Sequence, residues 1–416
     1  MPALQDRRLY RRLRRAVAAG AEWLLRGQQR QFYFLGGLVG VLAGLGAVAF
    51  HGSISWTENN LIHRFTHWDS PWRYVAVILS PAIGGLLVGW LLTRFAPQAR
   101  GSGIPQVKER YFLRFGRIRL QTAAWKFLLG TVSIGSGASL GREGPTVQIA
   151  ASLASWAGRW LGLAPRNIAR LIPMASAGAI AAAFNTPLAA IMFVIEEIMG
   201  NLKHRALAGI VLVAVIAAVI ERGLLGSSAM FAVPSHEEFS ALQLAWSVLI
   251  GLLAGGTSEL WVRWLLQLRQ RALDVKSRWK WALPGLGGLA TGVIAATILA
   301  AFNQAGILGI GYETLTAGLF GQLGIGVLLA LFAGKFIATI CSYSSGGAGG
   351  IFAPTLFIGA MLGGAVGQLA HYLSPDTPTI VSSLAVIGMG AMFAGIIRAP
   401  VTSILMIFEL TQDYEL

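Results

Sequence analysis

A single cysteine, Cys341, stands in a chain of 416 residues. That excludes an intramolecular disulfide and a cysteine-built metal site. Charge is scarce as well: Asp, Glu, Lys and Arg together make up 12%, where a soluble domain carries roughly 25%. Acidic residues are the scarcer sign, 18 against 33 Lys and Arg, for a formal net charge of +15. A soluble globular fold is excluded by this balance, and so is disorder, which needs low hydrophobicity and high charge. Residues 1–31 are arginine-rich, with no apolar run and no small-residue cleavage site, so they do not read as a secretory signal.

The apolar set AVILMFWYC supplies 55% of the chain. The 52 glycines raise this to about two-thirds, against roughly 45–50% in soluble domains. Apolar runs lie near 33–54, 74–93, 122–140, 144–163, 168–198, 206–225, 241–266, 281–301, 321–341, 352–373 and 380–411. A straight membrane span needs about 20 such residues. Several runs are glycine-interrupted or short, and others hold room for two short helices. Broken helices at membrane depth are tolerated only where they are buried in protein or line a wet cavity. The expected fold is therefore an all-α integral membrane protein with short, tilted and broken helices.

Basic residues cluster before the first run (Arg7 to Arg30), after the second (Arg94 to Arg119), at Lys203 and Arg205, and between Arg263 and Lys280. Stretches 55–72, 226–240, 302–318 and 374–379 hold few. The positive-inside rule places the N-terminus in the cytoplasm. The positive charge is thus topology. The interleaved aromatics and folded-domain context of a nucleic-acid footprint are missing, and no nucleic-acid partner is expected. Arg7 to Trp23 reads either as an amphipathic helix on anionic lipid or as a solvated basic tail.

The chain repeats itself. The stretch Gly141-Arg142-Glu143-Gly144-Pro145-Thr146 aligns with Gly349 to Thr355, Pro145 over Pro354, and small-residue helices follow both. Further on, Gly178, Pro187 and Glu196 parallel Gly390, Pro400 and Glu409. The offsets are 209 and 213 residues. The first half starts inside, and the second starts near 230 after the 206–225 run has crossed outward, so the halves run in opposite senses. This divides the chain into a basic cytoplasmic segment, 1–31, and two inverted membrane repeats, 32–225 and 226–416. Such repeats with matching broken helices place a substrate site near the midplane.

Three glycine-flanked breaks carry the chemistry: Gly101-Ser102-Gly103-Ile104-Pro105, Gly141 to Pro145, and Gly349-Gly350-Ile351-Phe352-Ala353-Pro354. In each, proline follows the glycines where it starts a helix, because its missing N–H would be unpaired there anyway. Three helix N-termini converging in a membrane present free N–H groups and positive dipole ends, which suit an anion. A cation would need helix C-termini or carboxylate clusters. Ser102 offers its hydroxyl to the anion while capping its own helix. Glu143 is a carboxylate inside an apolar run, a functional candidate by default. At a helix N-terminus it fills an anion's place, and protonation would release it, so it reads as both gate and proton carrier. A salt bridge to Arg142 is the structural alternative, disfavoured because adjacent helical residues do not face each other. Of Glu196 and Glu197, one is expected to pair with Lys203 or Arg205, leaving the other as an inward-facing proton acceptor. Arg398 and Glu409 are expected to serve structure.

With these residues in hand, the sequence resembles the CLC family of chloride channels and proton/chloride exchangers, over about 33–416. GSGIP, GREGP and GGIFAP stand in that family's order. The resemblance implies an inverted-repeat homodimer with one anion pathway per subunit. It implies an anion-binding set of Ser102, Gly103, Ile104, Gly144, Gly350, Ile351 and Phe352, in which Ser102 and the amides of Ile351 and Phe352 hold the central chloride. Glu143 resembles the external gating glutamate, and Glu197 the internal proton-transfer glutamate of exchangers. Nitrate-preferring members tend to have proline where Ser102 stands, so chloride is the implied substrate. Chloride, protons and membrane lipid are the expected partners, chloride ions the only bound group, and a bacterial inner membrane the expected location. The resemblance also implies a helix-bearing segment beyond the position of Leu416, with a tyrosine on the central anion. The repeat says the same, since Glu196 is followed by a span and Glu409 by seven residues. No tyrosine here takes that role.

The leading reading is a chloride/proton antiporter and not an enzyme, with a passive chloride channel on the same fold as its rival. A third reading is an intramembrane serine hydrolase using Gly135-Ser136-Gly137-Ala138-Ser139, which needs a histidine base among positions 51, 63, 67, 204, 236 and 371.

Overall fold

The computed structural model describes residues 28–201, 204–226, 230–231, 241–275, 279–374 and 380–412, with backbone alone at 28–30, 32, 204–205 and 241. The basic segment from Arg7 to Trp23 lies outside the described residues.

All of the described regular structure is helical. The first half holds α1 (Gln28–Glu58), α2 (Trp72–Arg94), α3 (Ile104–Leu113), α4 (Leu120–Gly135), α5 (Glu143–Trp160), α6 (Pro165–Phe184), α7 (Pro187–Phe193) and α8 (His204–Leu225). The second holds α9 (Ala241–Asp274), α10 (Leu283–Phe302), α11 (Tyr312–Leu319), α12 (Ile325–Ser344), α13 (Phe352–Leu373), α14 (Ile380–Ile397) and α15 (Pro400–Thr411). The long runs 168–198 and 380–411 each split in two, as their length suggested. The first run extends through a π-helical turn, Asn59–His63. Nine helical stretches among the described residues are long and apolar enough to cross a membrane, from Tyr33–Thr66 to Ile380–Ile397.

The breaks have local causes. Pro165, Pro187 and Pro400 each open a helix, where no intrahelical N–H bond is lost. Between α6 and α7 the chain turns through left-handed Asn185 at φ 58°, and between α14 and α15 through Arg398 at φ 62°. Those two residues are 213 apart, the second offset of the repeat. After α4 and α12 the turns pass through Gly137 at φ 110° and Gly346 at φ 108°, which are 209 apart. Just beyond, Thr146 Oγ1 donates to Arg142 O at 2.8 Å and Thr355 Oγ1 to Ile351 O at 2.7 Å. The repeat is therefore written in hydrogen bonds as well as in letters.

Burial places the site. Helices α5, α6 and α13 are buried along most of their length, while the long α1, α9 and α10 expose much of their apolar surface. Small residues let the inner helices approach closely, as membrane packing favours. At the crossing of α13 and α14, a Cβ on Gly359 would stand 2.4 Å from Gly388 O, and one on Gly388 the same distance from Gly359 O. The broken starts of α3, α5 and α13 are buried in protein and that of α11 lines a cavity, the two settings irregular backbone requires at membrane depth.

Candidate functional site

The second and third breaks meet face to face. Gly141 and Gly350 form an antiparallel bridge: Gly141 N donates to Gly350 O at 2.8 Å, and Gly350 N to Gly141 O at 2.6 Å. The first break joins them, with Gly101 N donating to Gly347 O at 3.1 Å. One strip of paired backbone thus gathers the approaches to α3, α5 and α13. A Cβ on Gly144 would lie 3.1 Å from Ser102 Oγ, and one on Gly350 would lie 3.2 Å from Gly144 N. Ser102, Gly144 and Gly350 are consequently neighbours. Ser102 is buried, and its hydroxyl accepts from Ile104 N at 3.2 Å, capping α3. Gly103 reaches φ 103° at the turn, a region open to glycine and strained for other residues. Phe352 opens α13 with its ring edge-on between Phe193 and Phe393, at 5.3 and 5.1 Å. Ile351 is partly buried beside it.

Glu143 is the first residue of α5 and has no solvent exposure. Its charge sits at the positive end of a helix, where it is favourable. Oε1 accepts the hydroxyl of Tyr312 at 3.2 Å. Oε2 completes no hydrogen bond, and the amide of Ala353, in the first turn of α13, acts on the carboxylate. The group therefore lies at the junction of two helix starts. Arg142 does not pair with it: Nη2 donates to Ala183 O at 3.1 Å, and the guanidinium stands 5.8 Å from the Tyr312 ring. Beyond Tyr312 opens a cavity of about 330 Å³, lined by His51, Glu58, His63, Arg142, Tyr312 and Glu313 among others.

Two buried lysines pin the loops around the site. Lys126 on α4 donates to Ala99 O at 2.9 Å and to Gly101 O. Lys335 on α12 donates to the carbonyls of Gly306, Ile307, Gly309 and Ile310 at 2.9–3.2 Å. The two are 209 residues apart, so each half uses one lysine to gather the carbonyls of the loop before its short helix, α3 or α11. Those helices start alike, after Gly103 and after Gly311 at φ 81°. Both lysines and Tyr312 stand outside the three glycine-flanked motifs. A charge inside an apolar run was the available signal for the lysines. The repeat offset applied to Gly103 lands on Tyr312.

The paired glutamates separate. Glu196 caps α15: Oε2 accepts from Thr402 N at 2.8 Å and Thr402 Oγ1 at 2.5 Å, and Oε1 from Val401 N at 3.3 Å. Glu409 returns the arrangement at α7, accepting from Leu188 N at 3.0 Å and Ala189 N at 2.7 Å. Every partner is displaced by 213 residues, the repeat offset. Glu196 therefore binds a helix end. The side chains of Lys203 and Arg205 lie outside the described residues. Glu197 is partly exposed and pairs with Lys108 on α3 at 3.1 Å, a partner the sequence reading did not name.

A family model described as voltage gated chloride channel matches residues 84–416. The chain belongs to this CLC family. Among solved structures it resembles a slow cyanobacterial Cl⁻/H⁺ antiporter, with 27% identity and a TM-score of 0.78 over 92% of this chain and 89% of that one. It also resembles a CLC-type fluoride/proton antiporter, at 23% identity and TM-score 0.77 over 92% and 91% of the two chains. A eukaryotic CLC transporter matches at 22% identity and TM-score 0.73, over 91% of this chain and 67% of that one. The last two share the fold. Membership of the CLC family supports chloride transport as the general activity and a multi-pass membrane protein as its setting.

In this CLC protein the serine-rich stretch after α4 has a different use. Ser136 Oγ donates to Ser133 O at 3.2 Å, and Ser139 Oγ shares a hydrogen bond with Thr339 Oγ1 at 2.9 Å. Ser139 N donates to Ser342 Oγ at 3.1 Å. Among the described residues neither serine has a histidine partner; the side chains of His204 and His236 lie outside them. Ser139 thus ties the turn after α4 to α12.

Proposed function

We propose that this protein is a chloride/proton antiporter in which Glu143 gates the anion path and carries the proton. One observation carries the reading: a fully buried carboxylate at the meeting point of the α5 and α13 N-termini, where free amides and dipoles suit an anion. Ionised, Glu143 occupies that place. Protonated, it loses its charge and gives the place up, so one proton and the anion move in exchange. Ser102, Gly103, Ile104, Gly144, Gly350, Ile351 and Phe352 form the chloride cradle between the breaks.

Glu197 hands protons to the cytoplasmic side, and its position in the π-helical turn Val194–Met199 that follows α7 suits that role. We place 32–225 and 226–416 as inverted repeats, the N-terminus in the cytoplasm, and the assembly as a homodimer in a bacterial inner membrane. The basic loops support the orientation and the repeat offsets the inverted repeats, while the homodimer follows the family resemblance.

Purified protein in liposomes, with chloride and pH recorded together, tests the proposal. Both ions should move, each able to drive the other uphill. Chloride flux with no proton movement would make the protein a passive channel.

A further inference from the structure

The gate carboxylate has one side-chain donor among the described residues, the hydroxyl of Tyr312. Its neighbour Arg142 spends a guanidinium N–H on Ala183 O. Tyr312 comes from the other half of the chain, 169 residues away. It is the first residue of α11, placed by the left-handed turn at Gly311 and by the loop that Lys335 gathers. Phe231 backs its ring edge-on, 5.2 Å away at 87°, and is itself fully buried. The phenol is therefore aimed by packing. A phenol has a single O–H to donate, and here it goes to Glu143. On its other side Tyr312 faces the cavity shared with His51, Glu58, His63 and Glu313, so it stands between that cavity and the gate.

We propose that Tyr312 is a latch on the gate: a positioning residue whose hydroxyl holds the Glu143 carboxylate in its closed place, so that each opening must break this bond. The inference rests on Glu143 being the gate. A hydrogen bond to an ionised group is among the stronger ones, and the carboxylate it holds has no solvent exposure. The latch thus sets the rate of opening without touching chloride. A merely structural tyrosine would act on flux whether or not residue 143 carries a carboxylate. A latch acts only when it does.

The test is a double-mutant cycle on chloride flux in liposomes, with Tyr312→Phe, Glu143→Ala and the double variant. Phenylalanine keeps the ring against Phe231 and removes only the donor. Tyr312→Phe should raise chloride turnover roughly ten- to a hundredfold, the scale of losing one hydrogen bond to a charged group. In the Glu143→Ala background the same change should have no effect. Tyr312→Met, a second donor-free filler, should behave as Tyr312→Phe and guards against a poorly folded first variant. Turnover unchanged or lowered in both variants would overturn the latch, and so would an increase that persists without the carboxylate. If Glu143→Ala transports like wild type, the gate reading itself fails, a result separate from the fate of Tyr312.

Discussion

Gly141 and Gly350 donate to each other's carbonyls, at 2.8 and 2.6 Å, across 209 residues of chain. The same number separates Pro145 from Pro354 and Lys126 from Lys335. An antiparallel bridge between residues one repeat offset apart fits a two-fold relation between the halves. The consequence is functional. Two helices that start just past the bridge, α5 and α13, have their N-termini against one spot from opposite directions, and Glu143 lies there. Replacing either glycine would drive a side chain into the bridge: a Cβ on Gly141 would meet Ala353 N at 3.1 Å, and one on Gly350 would meet Gly141 O at 3.2 Å.

Ser102→Pro is expected to shift selectivity from chloride toward nitrate. Proline removes a hydroxyl beside Gly144 and Gly350, from the proposed cradle, and CLC members with proline there tend to prefer nitrate. Competition between the two anions in flux assays checks this. Unchanged selectivity would place Ser102 outside the cradle and leave it only the cap of α3.

The two-fold related carboxylates Glu196 and Glu409 should respond alike. Each neutralising change, Glu196→Gln or Glu409→Gln, weakens charge-assisted bonds to a helix N-terminus and should cost about 1–2 kcal/mol. Thermal unfolding in detergent reads the loss, and the proton-to-chloride ratio should stay as in wild type. Glu197→Gln should do the reverse: little change in stability, chloride flux retained and proton movement stopped. Full coupling in Glu197→Gln would remove it from the proton path.

Lys335→Met should be among the most damaging single changes outside the cradle. Four carbonyls, from Gly306 to Ile310, share its ammonium, and each buried acceptor left unpaired costs about 1–3 kcal/mol. The loop they form presents Tyr312. Loss of folded protein on size-exclusion chromatography, or a strongly lowered melting temperature, is the expected result. A variant as stable as wild type would show the carbonyls finding other donors.

Much of this was legible in the letters. Runs of apolar residues located the helices, and those at 168–198 and 380–411 announced their own division by length. The three breaks, with glycine before proline, gave the helix starts, because those residue types act on the local backbone. What the letters hid was pairing across distance. Glu196 binds the start of α15, 205 residues on, a contact that charge proximity in the sequence does not indicate. Tyr312 was hidden for the same reason. It lies in a stretch with no apolar run, and only packing of the second half against the first brings its hydroxyl to Glu143. Lys108, six residues past Ser102, reaches Glu197 because α3 lies alongside the end of α7, which no local pattern encodes.

The account turns on Glu143, and the most direct measurement is proton movement driven by a chloride gradient in liposomes, wild type against Glu143→Gln. Glutamine keeps the size of the side chain and cannot take up or release a proton. Wild type should drive protons uphill against their gradient, and Glu143→Gln should move chloride with no proton movement at all. Uphill proton pumping by Glu143→Gln would contradict the account, since the proton would then cross without its carrier.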